Sequence, residues 1–175
     1  MDVLTAAQRS FNMSRIRGRD TAPELLIRRA LHAEGFRYRL HDRKLPGRPD
    51  LVFPKYRAVI FVHGCFWHGH DCHLFKWPAT RREFWEGKIT RNRERDCSAG
   101  RALRHNGWRT LTIWECALKG GTRLPAPDIT RRCVKFLRSS AVREAAIEGW
   151  PVPRGARHRK PVRRPGSFGD LVDRL

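Results

Sequence analysis

From Ala58 to Val62 the chain runs Ala-Val-Ile-Phe-Val without a polar side chain, and it passes straight into His63-Gly64-Cys65-Phe66-Trp67-His68-Gly69-His70-Asp71-Cys72-His73. An unbroken apolar stretch of this length is the pattern of a central strand covered on both faces, which calls for helices on either side of its sheet. A tract crowded with imidazoles and thiols cannot simply be core, because each group carries an atom that needs a partner. The chain therefore reads as an α/β protein, a central sheet flanked by helices, whose middle strand delivers a chemically loaded loop.

The flanking segments agree. Thr21-Ala22-Pro23-Glu24 has the threonine-to-glutamate spacing of a capping box. Leu25, Leu26, Arg29, Ala30 and Leu31 follow at helical spacing, predicting a helix over 21–34 that Gly35 stops. Residues 36–40 alternate as a strand does, and Leu45-Pro46-Gly47-Arg48-Pro49 is a turn that brings Asp50 to the head of Leu51-Val52-Phe53. A long helix is predicted over 80–105, with Trp85, Ile89, Asn92, Asp96 and Leu103 near one face and Asn106-Gly107 ending it. β character returns over 108–115, and an amphipathic helix around 129–137 closes the core.

A chain of 175 residues has room for one domain with a real core and not comfortably for two. We place that domain at 21–140, between a basic segment at 1–20 and a basic Pro/Arg-rich tail at 141–175 that has little to bury and is expected to be disordered. Lys and Arg number 37 against 17 Asp and Glu, a net charge of +20, which calls for a polyanionic partner or a basic tail. No window approaches the roughly 18 consecutive apolar residues of a membrane span, and no signal pattern opens the chain, so a cytoplasmic protein is expected. The cysteines are odd in number, five, and two of them sit among the histidines, a distribution that favours metal over disulfides.

Four groups of residues could carry chemistry. Asp50, at the junction of a turn and a strand, is placed as a rigid ligand for a cation of the kind that phosphodiester hydrolysis uses, although such an aspartate can also be a loop-end hydrogen-bonding residue. Many DNA nucleases follow that aspartate with an acid-x-lysine triplet on the next strand; here the triplet reads Phe61-Val62-His63. Cys65, His70 and Cys72, joined by Cys116 after Trp114-Glu115, would make a closed tetrahedral set, the form of a structural zinc site, with His63, His68 and His73 as alternative imidazoles within reach. Glu24, His63, His68 and Asp96 supply acids and bases for proton transfer; Glu24 also completes the capping box. Phe66 and Trp67, with Met13 in the basic segment, are apolar side chains suited either to wedge between base pairs or to plug the loop.

Together, the segments Leu45 to Asp50, Val59 to His68 and Trp114-Glu115-Cys116-Ala117-Leu118 resemble the very-short-patch (Vsr) DNA mismatch repair endonucleases. Asn12-Met13, Pro78-Ala79-Thr80-Arg81, Asn92 and Glu94-Arg95-Asp96 match as well, so the resemblance spans residues 9–118. It implies a restriction-endonuclease-like core with a central mixed sheet and a structural zinc. The implied enzyme nicks double-stranded DNA 5′ of the thymine in a T:G mismatch left by deamination of 5-methylcytosine, with Mg2+ as catalytic metal. The resemblance further implies that Asp50 and the main-chain oxygen of Val62 hold magnesium, that His68 is the general base oriented by Asp96, that His63 lies beside the scissile phosphate, and that Glu24 supports the metal through its water shell. Cys65, His70, Cys72 and Cys116 would bind zinc; Met13, Phe66, Trp67 and Asn92 would contact DNA, along with the rest of segment 1–20.

Val62 stands where a threonine is common, a change that a main-chain ligand tolerates, and Gly69 and Asp71 thin out a histidine-rich loop and leave His70 as the clearer zinc ligand. A single nick requires only one active site, so a monomer is expected; the resemblance implies a nucleoid-associated bacterial protein without membrane association, followed in repair by mismatch-repair proteins and a polymerase. Two alternatives fit the residues: a restriction-like nuclease triggered by another mismatch, a modified base or a DNA structure, and a zinc-stabilised DNA-binding module without catalysis.

Overall fold

A computed structural model of the protein describes residues 18–151, together with Thr5, Ala7, Gln8 and Phe11. The predicted wedge residue Met13 and the segment 152–175 lie outside the described residues.

The first helix, α1 (Ala22–Ala33), begins as its sequence dictates: the Thr21 hydroxyl accepts from the Glu24 amide at 3.4 Å and the Glu24 carboxylate accepts from the Thr21 amide at 3.3 Å. After β1 (Arg39–Leu40) and β2 (Leu51–Phe53), a single 3-10 turn leads into β3 (Ala58–His63), the predicted apolar strand. The long helix α2 (Arg82–His105) then crosses to β4 (Arg109–Trp114), and the short α3 (Glu115–Leu118), α4 (Ala126–Arg138) and β5 (Glu144–Ile147) follow. Among the described residues the strands form one five-stranded sheet in the order β1-β2-β3-β4-β5. The β1–β2 and β2–β3 pairs are antiparallel and the β3–β4 and β4–β5 pairs parallel, so the sheet is mixed.

Period-two alternation divides the core between two faces. On one, Leu51, Phe53, Ala58, Ile60, Leu111 and Ile113 pack against Ile27 and Leu31 of α1 and Ile129, Cys133 and Leu137 of α4. Burial there pushes the Cys133 thiol up to about 12, so it behaves as a small apolar side chain. On the other, Val52 and Val59 pack against Leu103 of α2, with Phe61 and Trp108 alongside. Phe61 and His63 share this second face, which brings the end of β3 under α2. Arg109 is buried and ties the layers together: it donates to the carbonyls of Phe136 (2.6 Å), Ser139 (2.5 Å) and Leu137 (3.0 Å) at the end of α4, and to Tyr56 (2.9 Å). A cation there meets the negative end of the helix dipole.

Three expectations need correction. The strand predicted over 36–40 pairs only at Arg39 and Leu40, because Phe36 turns into the core against Phe53 and Tyr56. The tail expected from 141 onward contains β5, paired in register with β4, so the sheet continues to Ile147. Finally, α2 starts at Arg82 and α4 already at Ala126, where Pro125 serves as its N-cap.

Candidate active site and metal centre

Because β3 and β4 are parallel, His63 and Trp114 lie side by side at their C-terminal ends, and the loops that leave them are neighbours. In open α/β sheets this is where functional groups gather. Asp50, at the head of β2, reaches the same place from the antiparallel side: its Oδ2 accepts from the Val62 amide at 2.7 Å. Gly47 in the turn before it has φ +74, and a side chain there would meet Ala99 of α2 at 2.8 Å, so both the bend and the helix contact require glycine.

Asp50, Val62, His63, His68 and Asp96 line one open cleft of about 1240 Å³ that also receives Arg19, Arg48, Arg93 and Arg95. The His68 Nδ1 and Asp96 Oδ2 are 2.5 Å apart, so the carboxylate fixes the ring and leaves Nε2 as its other nitrogen. The His68 ring stacks on His63 with centroids 3.8 Å apart and planes within 6°. Burial, with His68 as the second cause and Asp96 opposing, pulls the His63 imidazole down to about 3, so it is neutral at physiological pH. Burial works against Asp96, yet its hydrogen bond with His68 and the charges of His68, His63 and Arg95 hold it below the usual carboxylate range. Asp50 is pushed the other way by burial, opposed by the Val62 amide, His41, Arg28 and His68. A carboxylate whose ionisation is opposed by burial is relieved by a cation beside it.

Glu24 lies behind the cleft, not in it. Its Oε1 is 3.0 Å from His41 Nε2 and also meets the Arg28 guanidinium, while His41 Nδ1 stands 3.7 Å from Asp50 Oδ1. Arg28 continues to Asp20 at 2.5 Å. The structure thus places His41 between Glu24 and Asp50, with its Nε2 also 2.7 Å from the Arg28 guanidinium; no local sequence pattern distinguishes this histidine.

The loop after β3 is pinned by α2. Asn92 donates to the Trp67 carbonyl at 2.7 Å, and Arg93 donates to the carbonyls of His68 (3.3 Å) and Gly69. Gly69 has φ +60 and would place a side chain 2.6 Å from Ile89, so α2 can close on the loop only over a glycine. Phe66 and Trp67 meet edge to face at 5.2 Å, and Trp85 of α2 joins them at 5.2 Å from Phe66 and 6.0 Å from Trp67. Lys88 stands 5.3 Å over Trp67 and 5.6 Å over Trp85. Sequence periodicity places Trp85 only on a helix face; its part in this half-buried aromatic group depends on the loop folding back.

The sulfurs of Cys65, Cys72 and Cys116 and the His70 Nδ1 converge, all four within 4.8 Å of one another. Both Cys65 Sγ and Cys116 Sγ are 3.6 Å from that nitrogen. Tetrahedral zinc with Zn–S of about 2.3 Å and Zn–N of about 2.0–2.1 Å requires S···N separations of about 3.6 Å, so the donor set fits the ion. Burial raises the Cys65 and Cys116 thiols, with neighbouring sulfurs adding to it, a penalty on the thiolates that a bound cation reverses. The rival histidines are engaged elsewhere: His63 and His68 in the cleft, and His73 with the Thr122 hydroxyl at 3.2 Å.

Comparison with known proteins places this architecture in context. A family model described as DNA mismatch endonuclease Vsr matches residues 1–74. The DNA mismatch endonuclease Vsr of Escherichia coli (strain K12) is 49% identical over 136 residues, covering 78% of this chain and 87% of the relative. The type II nicking enzyme V.XorIIP of Xanthomonas oryzae pv. oryzae is 46% identical, covering 67% of this chain and 86% of the relative. For V.NmeAIP, a type II nicking enzyme of Neisseria meningitidis serogroup A, the identity is 44% over 67% of this chain and 84% of the relative.

Proposed function

This chain belongs to the Vsr family of DNA mismatch endonucleases, and on that premise we propose that it nicks double-stranded DNA 5′ of the thymine in a T:G mismatch, using Mg2+. The observation that carries the reading is the His68–Asp96 pair, stacked on a neutral His63 and facing Asp50 across a cleft lined with arginine. Asp50 and the main-chain oxygen of Val62 would hold the metal, which supplies charge neutralisation at the scissile phosphate and a more acidic water.

The chain's own groups divide the remaining work. His68 Nε2 takes the proton of the attacking water as its oxygen forms the new bond to phosphorus, and the 3′ oxygen leaves. Asp96 keeps Nδ1 protonated and stabilises the imidazolium that results. His63 is a poor base with its titration near 3; it presents a neutral imidazole to the phosphate, and the two histidines split into distinct roles by environment. Glu24 acts on Asp50 through His41. The arginines of the cleft bind the flanking phosphates.

Phe66, Trp67 and Trp85 with Lys88 form an aromatic and cationic surface suited to unstack the DNA at the mismatch, with Met13 acting from the N-terminal segment. Asn92 supports this surface through the Trp67 carbonyl. The core is of the restriction-endonuclease type, and zinc at Cys65, His70, Cys72 and Cys116 is structural, since four protein donors leave no position for water. A single nick requires one active site and hence one copy of the chain; segment 1–20 and the tail beyond 151 add phosphate contacts.

Relatives named as type II nicking enzymes favour a second reading, in which the chemistry is the same and the trigger differs. Magnesium-dependent cleavage of labelled duplexes carrying T:G, T:A or C:G at one central position separates them. A single cut 5′ of the mismatched thymine is expected; equal cleavage of all three duplexes would remove mismatch recognition.

A further inference from the structure

β5 ends at Ile147, and the residues that follow it, Glu148-Gly149-Trp150, fold over the Cys65, His70, Cys72 and Cys116 cluster. Glu148 Oε1 lies 3.4 Å from His70 Nε2, the ring nitrogen not facing the sulfurs. The Gly149 amide donates to Cys116 Sγ at 3.4 Å. The Trp150 amide donates to the Thr122 carbonyl at 2.7 Å, and the Thr122 hydroxyl donates to the Cys116 carbonyl at 3.4 Å, which fastens the strap to the segment bearing Cys116. A side chain at Gly149 would meet the Cys116 carbonyl at 2.4 Å and the Thr122 hydroxyl at 2.6 Å, so the strap comes this close only with glycine there. His70 is meanwhile stacked on Trp114 with centroids 4.0 Å apart and planes within 11°.

We propose that the strap after β5 is part of the metal centre, with Glu148 as the positioning residue that holds His70 in the Nδ1-coordinating orientation and the Gly149 amide stabilising the Cys116 thiolate. The proposal rests on the zinc reading of the four-residue cluster. An exposed carboxylate beside a free histidine contributes little, because water and salt screen the pair. The same carboxylate beside a metal-bound histidine acts differently: from its 3.4 Å contact it is placed to accept a hydrogen bond from Nε2–H, which fixes the tautomer that leaves Nδ1 as ligand and raises the basicity of that ligand. Trp114 restricts the ring plane, the sulfurs lie on the Nδ1 side and Glu148 on the Nε2 side, so each part of the imidazole has an assigned neighbour. Amide donation to a ligating sulfur delocalises its charge and lowers the cost of burying three thiolates together.

Zinc content and chelator competition on the full-length protein test this at constant pH, comparing wild type with Glu148→Ala, Glu148→Gln and Gly149→Ala. Wild type is expected to carry one zinc per chain. Glu148→Ala should lose zinc affinity by roughly 10- to 100-fold, the range set by loss of a metal ligand's hydrogen-bond partner, while its circular dichroism with zinc saturating stays that of wild type. Glu148→Gln, which keeps an oxygen acceptor, should recover part of the loss. Gly149→Ala should weaken zinc binding by displacing the strap. Wild-type affinity in a zinc-bound Glu148→Ala protein would overturn the proposal while leaving the zinc site standing. A wild-type chain without zinc would overturn both.

Discussion

Replacing His63 by Gln should flatten the dependence of stability on pH. Gln keeps hydrogen-bonding capacity and approximate size but does not titrate. In the folded protein the His63 imidazole titrates near 3 because of burial and the neighbouring His68, whereas in the unfolded chain it titrates near 6.5. Between those values the unfolded state binds the extra proton, so stability rises with pH there. The contribution is fully present above about pH 6.5 and is lost as pH falls towards 3. Linkage sets a limiting slope of about 1.4 kcal/mol per pH unit, or about 2 kcal/mol between pH 6.5 and 5. His63 is only partly buried, and solvent screening reduces that to about 1 kcal/mol. Urea denaturation of both proteins at pH 8, 7, 6 and 5, compared at equal m-values, should show curves that converge or cross as the wild type loses stability faster in acid. Parallel curves across that range would refute the assignment of a depressed His63 and, with it, the division of labour between His63 and His68.

Three further expectations follow from the same geometry. Asp50→Asn should abolish nicking while leaving T:G duplex binding measurable. It should also raise the melting temperature of the metal-free protein at neutral pH, because burial raises Asp50 and any stability linked to its protonated form is lost as pH rises through that raised value; a lower melting temperature would contradict the sign. Cys116→Ser should lower both zinc content and melting temperature, since metal bound only by the folded state adds its binding energy to folding; an unchanged melt and zinc stoichiometry would count against the metal centre. Trp85→Ala should weaken T:G duplex binding by about 1–3 kcal/mol, the size of a lost base–aromatic stack, with a smaller effect on the matched duplex; an equal loss on both would assign Trp85 to packing alone.

What the sequence reveals about this fold follows the range of the interactions concerned. The capping box at Thr21 and Glu24 and the apolar run of β3 are local, and both appear as read. Cys65, His70, Cys72 and Cys116, read as candidate metal ligands across a wide separation, also come together in the fold. β5 escaped because Glu144-Ala145-Ala146-Ile147 has two alanines where a strand usually signals itself with branched or aromatic residues. Its pairing is imposed by the exposed edge of β4. Arg109 resembles a surface residue until α4 packs its terminal carbonyls around it. Nothing in the string marks His41 as the link from Glu24 to Asp50, since that role exists only once α1, β1 and β2 are assembled.

The loop over 63–72 contributes both to the His63, His68 and Asp96 group and to the Cys65, His70, Cys72 and Cys116 group. His68 lies between Cys65 and His70, so a zinc ion at the cluster would fix the chain on both sides of the residue proposed to take the proton. Asn92 and Arg93 hold the carbonyls of Trp67, His68 and Gly69 from α2, and Asp96, one turn further along the same helix, holds the ring. Backbone and imidazole of His68 are therefore referenced to one rigid helix, and the flanking ligands to the ends of β3 and β4. A general base must hold its proton-accepting nitrogen at hydrogen-bond distance from the water it activates, to within about 0.5 Å of the productive position, which loops rarely achieve unaided. Displacement of the loop by loss of the cluster would reach His68 before it reached Asp50, which the Val62 amide holds independently. Zinc loss should therefore reduce turnover before it reduces magnesium affinity.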